Sequence, residues 1–416
     1  MSSSDYNHPL SPPLDLSKWR KAPAALMAVG AVLSVVSAAL SPAKFGVCWL
    51  LAFMFFLSLA LGALFLVMVH HLSDAGWSVA TRRVGEDIGA LLFPWLAILF
   101  LPVAIFAREI YSWMRDADSH ANNLISAKWP VFTMPGFYVT SAVFFGVWWL
   151  LSSRLRYWSF KQDESGAAQC TQRLRFHSGW GIVAFALTLT FSGVLWMQAV
   201  QYQWFSAIYG VYFFASCAWS ALAMLYLITV LLQRQRILDR VLRDNQFYFL
   251  GLLFFAFTIF QAYAEFAQYF VVWNANMPVE TFWYLIRENG SWWWVSLALI
   301  FGHFLLPFFV LLPVKAKTDF KIMLPVCVWA LAMNFLDLSF NILPTVHPHG
   351  YPFKWVLTQL GCLAFMGGML SWAFLRNFNR HAPYPQKDPR LLEAMGIHQP
   401  VLDEIPAAAP TAGGQP

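Results

Sequence analysis

Residues 45–87 read FGVCWLLAFMFFLSLALGALFLVMVHHLSDAGWSVATRRVGED. As far as Val69 the stretch is an apolar run, long enough at about 1.5 Å per helical residue to cross a bilayer. It then passes into two histidines, an acid, a Trp, two arginines and two more acids, before a second apolar run starts near Gly89. Helical spacing puts His70 and His71 on one face with Asp74, at intervals of four and three. Arg82 with Glu86 and Arg83 with Asp87 are also spaced to pair. Two functions fit such a membrane exit. It could be an ordinary interfacial turn, with Trp77 at headgroup depth and the arginines in the aqueous phase paired to carboxylates. It could equally handle protons, as ionisable groups at the edge of a span often do.

The rest of the chain repeats the apolar pattern. Of 416 residues 59% are hydrophobic and only 12% charged, a balance unlike that of a soluble domain, and 39 Phe and 21 Trp suit lipid-facing surfaces with aromatic belts. Ten runs are long enough to span, near 22–40, 45–69, 89–107, 131–152, 180–199, 206–233, 247–272, 291–314, 322–345 and 354–376. The expected architecture is an all-α integral membrane protein with ten transmembrane helices. A faint repeat of four spans divides it into an arm (1–21), a peripheral first helix (22–44), four-helix bundles over 45–205 and 206–345, a peripheral last helix (346–377) and a proline-rich tail (378–416). Of 27 Lys and Arg, 21 fall on the side of the two termini; six (Lys44, Arg108, Arg115, Lys128, Arg287, Lys354) fall on the other, and none falls inside a span, Lys354 and Arg376 marking the two ends of the tenth. The bias predicts that both termini are cytoplasmic. The longest connections are then 108–130 and 273–290 outside and 153–179 inside. Segment 273–290 is a candidate short surface helix against a partner. In the tail only Arg390 to Ile397 has a helical pattern; the remainder should be extended and ordered only on a neighbouring subunit.

Three consecutive spans of the second bundle carry ionisable groups at similar depth: Glu265 in QAYAEFAQYF, His303 in LIFGHFLLP and Asp337 in MNFLDLSFN. Each charge at the midplane costs about 3 kcal/mol on insertion scales, so such groups face the bundle interior, a partner or water. Gln261, Tyr263, Gln268, Asn334 and Asn341 could extend them into a hydrogen-bonded chain. They suit either a proton relay or a clasp that joins helices without titrating. Pro307 has no N–H for the carbonyl of His303, and Pro102 none for that of Ile98. His303 has no histidine at comparable depth, which argues against bis-histidine haem. The five cysteines form no CxxC or Cys/His metal pattern. Neither a phosphate loop, a nucleophilic triad nor a nucleic-acid motif stands out. Gly367-Gly368 reads as a helix-packing pair.

The stretch AGWSVATRRVGEDIGALLFPWLAI, with the histidines before it, resembles the F subunit of bacterial alternative complex III, a quinol:cytochrome c oxidoreductase, within the wider polysulfide-reductase-like membrane subunits. The likeness extends to ten spans, two four-helix units, inward termini and the proline-rich tail. It implies a multi-pass subunit of the bacterial cytoplasmic membrane that supports assembly and proton translocation and carries no cofactor. Haem c and iron–sulfur clusters would reside in partners: an iron–sulfur subunit, multihaem and monohaem cytochrome c subunits, a homologous ten-helix subunit, small membrane subunits and a terminal oxidase, all among lipids. Quinol would be the substrate of the complex, with the redox catalysis on another chain. His70, His71, Asp74, Glu86 and Asp87 would form an inner half-path, and Glu265, His303 and Asp337, with Tyr263 and Asn334, an outer one. The alternatives are a quinol-binding anchor, as in other relatives, and an independent secondary transporter. Against transport, Pro102 in span three has no proline counterpart in span seven.

Overall fold

The computed structural model describes residues 16–116, 125, 127–238 and 241–397. The described residues are all helical or irregular, and ten helices are long and apolar enough to cross a membrane. The chain is a multi-pass helical membrane protein. In order the spans are Lys18–Leu40, Pro42–Ser73, Gly76–Ile105, Met134–Ser165, Ala168–Gln201, Tyr209–Arg234, Asp244–Ala275, Trp292–Leu311, Phe320–Val346 and Phe353–Phe378; they are called spans one to ten below.

Spans two and six form the centre. In their most apolar windows 83% and 78% of residues are buried, against 11% in span one and 22% in span eight. They can approach closely because Gly62 has no side chain: a Cβ there would stand 1.9 Å from the carbonyl oxygen of Cys217. Span one packs along span ten, and Gly368 fits against the backbone of Met27, as the Gly367-Gly368 pair anticipated. Aromatic side chains fill the first half of the molecule, where Phe100, Phe145 and Trp148 surround Trp196.

The Leu16 amide donates to Asn379 Oδ1 at 3.2 Å, so the chain enters and leaves at one end, the terminal end. At the far end Pro278–Arg287 is the anticipated short helix, but its anchors bind this chain itself. Trp283 stacks on Trp204 at 4.5 Å, and the Arg287 guanidinium lies 3.3 Å from the Trp283 ring centroid and donates to the carbonyls of Trp283, Phe340 and Asn341. Burial lowers the pKa of Arg287 to about 9.

Three expectations need correction. Span three starts at Gly76 rather than near residue 89, so Arg82 and Arg83 lie inside a helical span and are buried, not held in the aqueous phase. Charge alone assigned them to water, whereas each is in fact compensated by a carboxylate. Segment 153–179 is not a loop: spans four and five continue through it and turn only at Gly166, whose positive φ of 65° closes the helix. Finally, residues 381–397 need no neighbouring subunit, because they fold back across the terminal end of their own chain. Positions 398–416 lie outside the described residues.

Candidate functional site

Two polar clusters occupy the interior. The first is at the terminal end, where helix Val79–Gly89 carries four charges, all buried. A one-turn register brings Arg82 Nε to Glu86 Oε1 at 3.0 Å, and Arg83 Nη1 lies 2.9 Å from Glu86 Oε2. Arg83 also pairs with Asp163 and lies 4.5 Å from the centroid of Phe160. Arg82 pairs with Asp388 of the tail and donates to Gln162 at 3.2 Å. Ser159 donates to Glu86 at 2.8 Å and accepts from both arginines. Arg83 therefore pairs at three residues' spacing with Glu86, and the anticipated Arg83–Asp87 pair does not form. Asp87 instead stands 2.8 Å from Arg156 of span four. Leaving any one of these buried charges alone would cost about 3–5 kcal/mol, so together they tie span three to span four and to the tail.

The histidines divide. Arg82 Nη1 approaches His70 Nε2 at 3.3 Å, and because a guanidinium only donates, that nitrogen accepts. His70 Nδ1 then carries the proton and donates to Ser78 Oγ at 2.6 Å. His71 stacks edge-on against His70 at 4.9 Å, and its Nε2 is buried without a partner. Asp74 does not join them. It adopts a left-handed conformation (φ 54°) that ends span two and turns its carboxylate outward to Arg175 and Arg390. Slight burial works against it, but the hydrogen bond from Arg175 and the charge of Arg390 hold its pKa below the ordinary carboxylate value.

The tail completes this cluster. The Gln386 amide donates to Asp163 Oδ1 at 2.8 Å, Lys387 reaches the carbonyl of Glu164 at 2.5 Å, and Gln246 donates to the carbonyl of Ala394 at 2.6 Å. His381 lies face to face with Phe160 at 3.9 Å. Burial, reinforced by Arg156 and Arg83, lowers its pKa to about 4.

The second cluster lies within the membrane. Glu265, His303 and Asp337 each offer one ligand-type atom, all within 4.8 Å of one another. His303 is held at a local π-helical turn, Leu299–Leu305, directly before Pro307, a widening of the kind that accompanies functional sites. Its Nδ1 is 3.8 Å from Glu265 Oε1, its ring packs on Trp219 at 4.3 Å, and its Nε2 has no partner. Glu265 accepts from Gln261 at 3.0 Å and keeps 29% of its side chain exposed. Asp337 accepts from Tyr212, which in turn accepts from Asn341 at 2.6 Å. One turn towards the terminal end, Ser216 donates to Asn334 at 2.6 Å, and Asn334 donates to Ser58 at 3.3 Å. Ser58 is itself 3.3 Å from Ser220. Asn334 thus lies one turn from Asp337 and joins the two central spans, without a hydrogen bond to the trio itself. Tyr263 does not take part; it is 62% exposed on the outer face of span seven.

A cation is one conceivable occupant of the trio. Zinc bonds of about 2.0–2.2 Å would require the ligand atoms to stand closer together than they do, and Asp337 already accepts from Tyr212. Direct proton transfer also needs closer approach, about 2.7–3.2 Å, so at 3.8 Å His303 and Glu265 would exchange a proton through a bridging water or a side-chain shift. Tyr212 and Ser216 escaped the sequence reading, although Tyr212, Ser216 and Ser220 at intervals of four mark a polar stripe along span six. Asp163 and Asp388 left no comparable signal, since their partners are 80 and 306 residues away.

No protein-family model matches the chain, and no curated protein matches its sequence. The interior polar groups are therefore the guide to function.

Proposed function

We propose that this chain is a cofactor-free membrane subunit of a quinol:electron-acceptor oxidoreductase of the alternative complex III kind, with Glu265, His303 and Asp337 relaying protons. The observation that carries this is the trio itself: two carboxylates and an imidazole on three consecutive spans, within 4.8 Å. One turn nearer the terminal end a separate hydrogen-bonded set, Ser216, Asn334 and Ser58, lies in line with them. Ionisable groups held at this depth are expensive unless they are paired or used. His70 and Ser78, beside Arg82, would form the terminal-end port, which the excess of Lys and Arg assigns to the cytoplasm. Haem c and iron–sulfur clusters belong to partner subunits, and the membrane is the bacterial cytoplasmic membrane.

Quinol binding by this chain is less well supported. The cavity beside His70 and Arg82 measures about 40 Å³, too little for a quinone ring. A larger one of about 300 Å³, between spans one, two, three, six and ten, is lined mostly by apolar side chains with Trp19, Gln235 and Ser371, none of which can take a proton from quinol.

The test uses the assembled complex with Glu265→Gln and Asp337→Asn, which keep size and hydrogen bonding but remove the titrating proton. A relay retains assembly and quinol oxidation while the proton-to-electron ratio falls. An unchanged ratio in both variants leaves the trio as a clasp. Purification in mild detergent without haem c and iron–sulfur partners would overturn the assignment to such a complex.

A further inference from the structure

Span three is interrupted at Phe93, which is extended (φ −141°, ψ 133°) ahead of Pro94, and its helix resumes at Trp95. Beside the interruption a cavity of about 520 Å³ opens at the terminal end, between span three and the ends of spans four and ten. Three guanidinium groups reach it, from Arg156, Arg376 and Arg380. Arg156 is neutralised by Asp87 at 2.8 Å. Arg376 and Arg380 are exposed and, among the described residues, form no ion pair; Arg376 has only the Trp372 ring, at 5.5 Å. The remaining walls are aromatic. Trp95, Trp149 and Tyr157 line the cavity, and Phe93 and Trp149, in contact at 5.8 Å, are 44% and 50% exposed on the face that continues along the spans.

Two uncompensated positive charges thus sit at the rim of a membrane-embedded helix bundle, above an exposed aromatic surface. The charges match a phosphate, and the aromatic surface matches the glycerol and acyl chains beneath it. Pro94 and Trp95, at the start of the resumed helix, line the same space, and Pro94 provides no side-chain cap for its first N–H groups. We infer that this cavity binds the phosphate headgroup of an anionic phospholipid from the surrounding leaflet. A phosphate monoanion is shared with soluble inorganic phosphate; the adjoining apolar wall selects the lipid. The site uses neither the Glu265–His303–Asp337 trio nor any property of a respiratory complex, so it stands or falls separately from them.

The inference is tested on the full chain, delipidated in a neutral detergent and titrated with phosphatidylglycerol or phosphatidylcholine, with bound lipid counted by native mass spectrometry. Phosphatidylglycerol should be retained in preference to phosphatidylcholine. Arg376→Gln and Arg380→Gln should each weaken its retention about fivefold, and the double variant about thirtyfold, with the preference declining as ionic strength rises. Arg234→Gln, which removes an exposed arginine at the same end but outside the cavity, should leave retention unchanged. Both arginines are exposed, so the single variants should fold even if the double variant does not. Equal retention of the two lipids would overturn the inference, as would an unaffected double variant. Displacement of phosphatidylglycerol by inorganic phosphate at equal concentration would also overturn it, by assigning the cavity to a soluble anion.

Discussion

Replacing Asp388 by Asn tests whether the tail is clamped by the charges of span three. In the folded chain Asp388 is 7% exposed and pairs with Arg82, which also holds Glu86. Asparagine keeps an acceptor but removes the charge, so Arg82 remains compensated by Glu86 while the ion pair that holds the tail falls to a weaker hydrogen bond, a loss of about 2 kcal/mol. That raises the population of the detached tail about thirtyfold. Hydrogen exchange reads this at the Gln386 amide, which donates to Asp163 and is exposed only when the tail lifts. Its exchange should accelerate by a similar factor, while amides in the middle of spans two and six keep their rates. Arg82→Gln should differ in kind. It leaves Asp388 without its cation and Glu86 with Arg83 alone, a cost of about 3–5 kcal/mol that lowers the thermal stability of the whole bundle. If Gln386 exchanges within twofold of the unsubstituted rate in Asp388→Asn, the tail is held by its other contacts and the clamp is refuted.

Three further outcomes are expected. Reporter fusions after residues 120 and 280 should be found on the outer face of the membrane and those after 165 and 240 on the cytoplasmic face; one reversed result breaks the ten-span topology. His381 has a folded pKa of about 4, below its ordinary 6.5, so it docks as the neutral form. Its contribution to tail docking is complete above pH 6.5 and is lost as the pH falls from there towards 4, so tail exchange should quicken across that window. His381→Phe should flatten that response, and a profile identical to the unsubstituted chain's would exclude His381 as its origin. Gly62→Ala should push spans two and six apart, because the new Cβ would meet the Cys217 carbonyl at 1.9 Å. A loss of about 1–3 kcal/mol or more is expected, visible as a lower midpoint of thermal unfolding in detergent.

Span number and the all-helical class were legible without coordinates, because the length of an apolar run is a local property and lipid leaves a single chain few ways to satisfy its backbone. The same logic exposed Glu265, His303 and Asp337: each stands out against its own span, and His303 is further marked by the proline four residues on. What sequence could not supply was pairing. Arg82 and Arg83 read as water-facing because the acids that bury them include Asp163 and Asp388, far away along the chain. Tyr263 looked like part of the buried chain on spacing alone, yet span seven turns it outward. Asp74 was assigned to the histidines by helical periodicity, which ends where that residue turns left-handed to meet Arg175 and Arg390. Hydropathy along one chain records where each helix runs and which charges are costly. Which cost is offset, and by which partner, depends on contacts between spans that only the packed bundle defines.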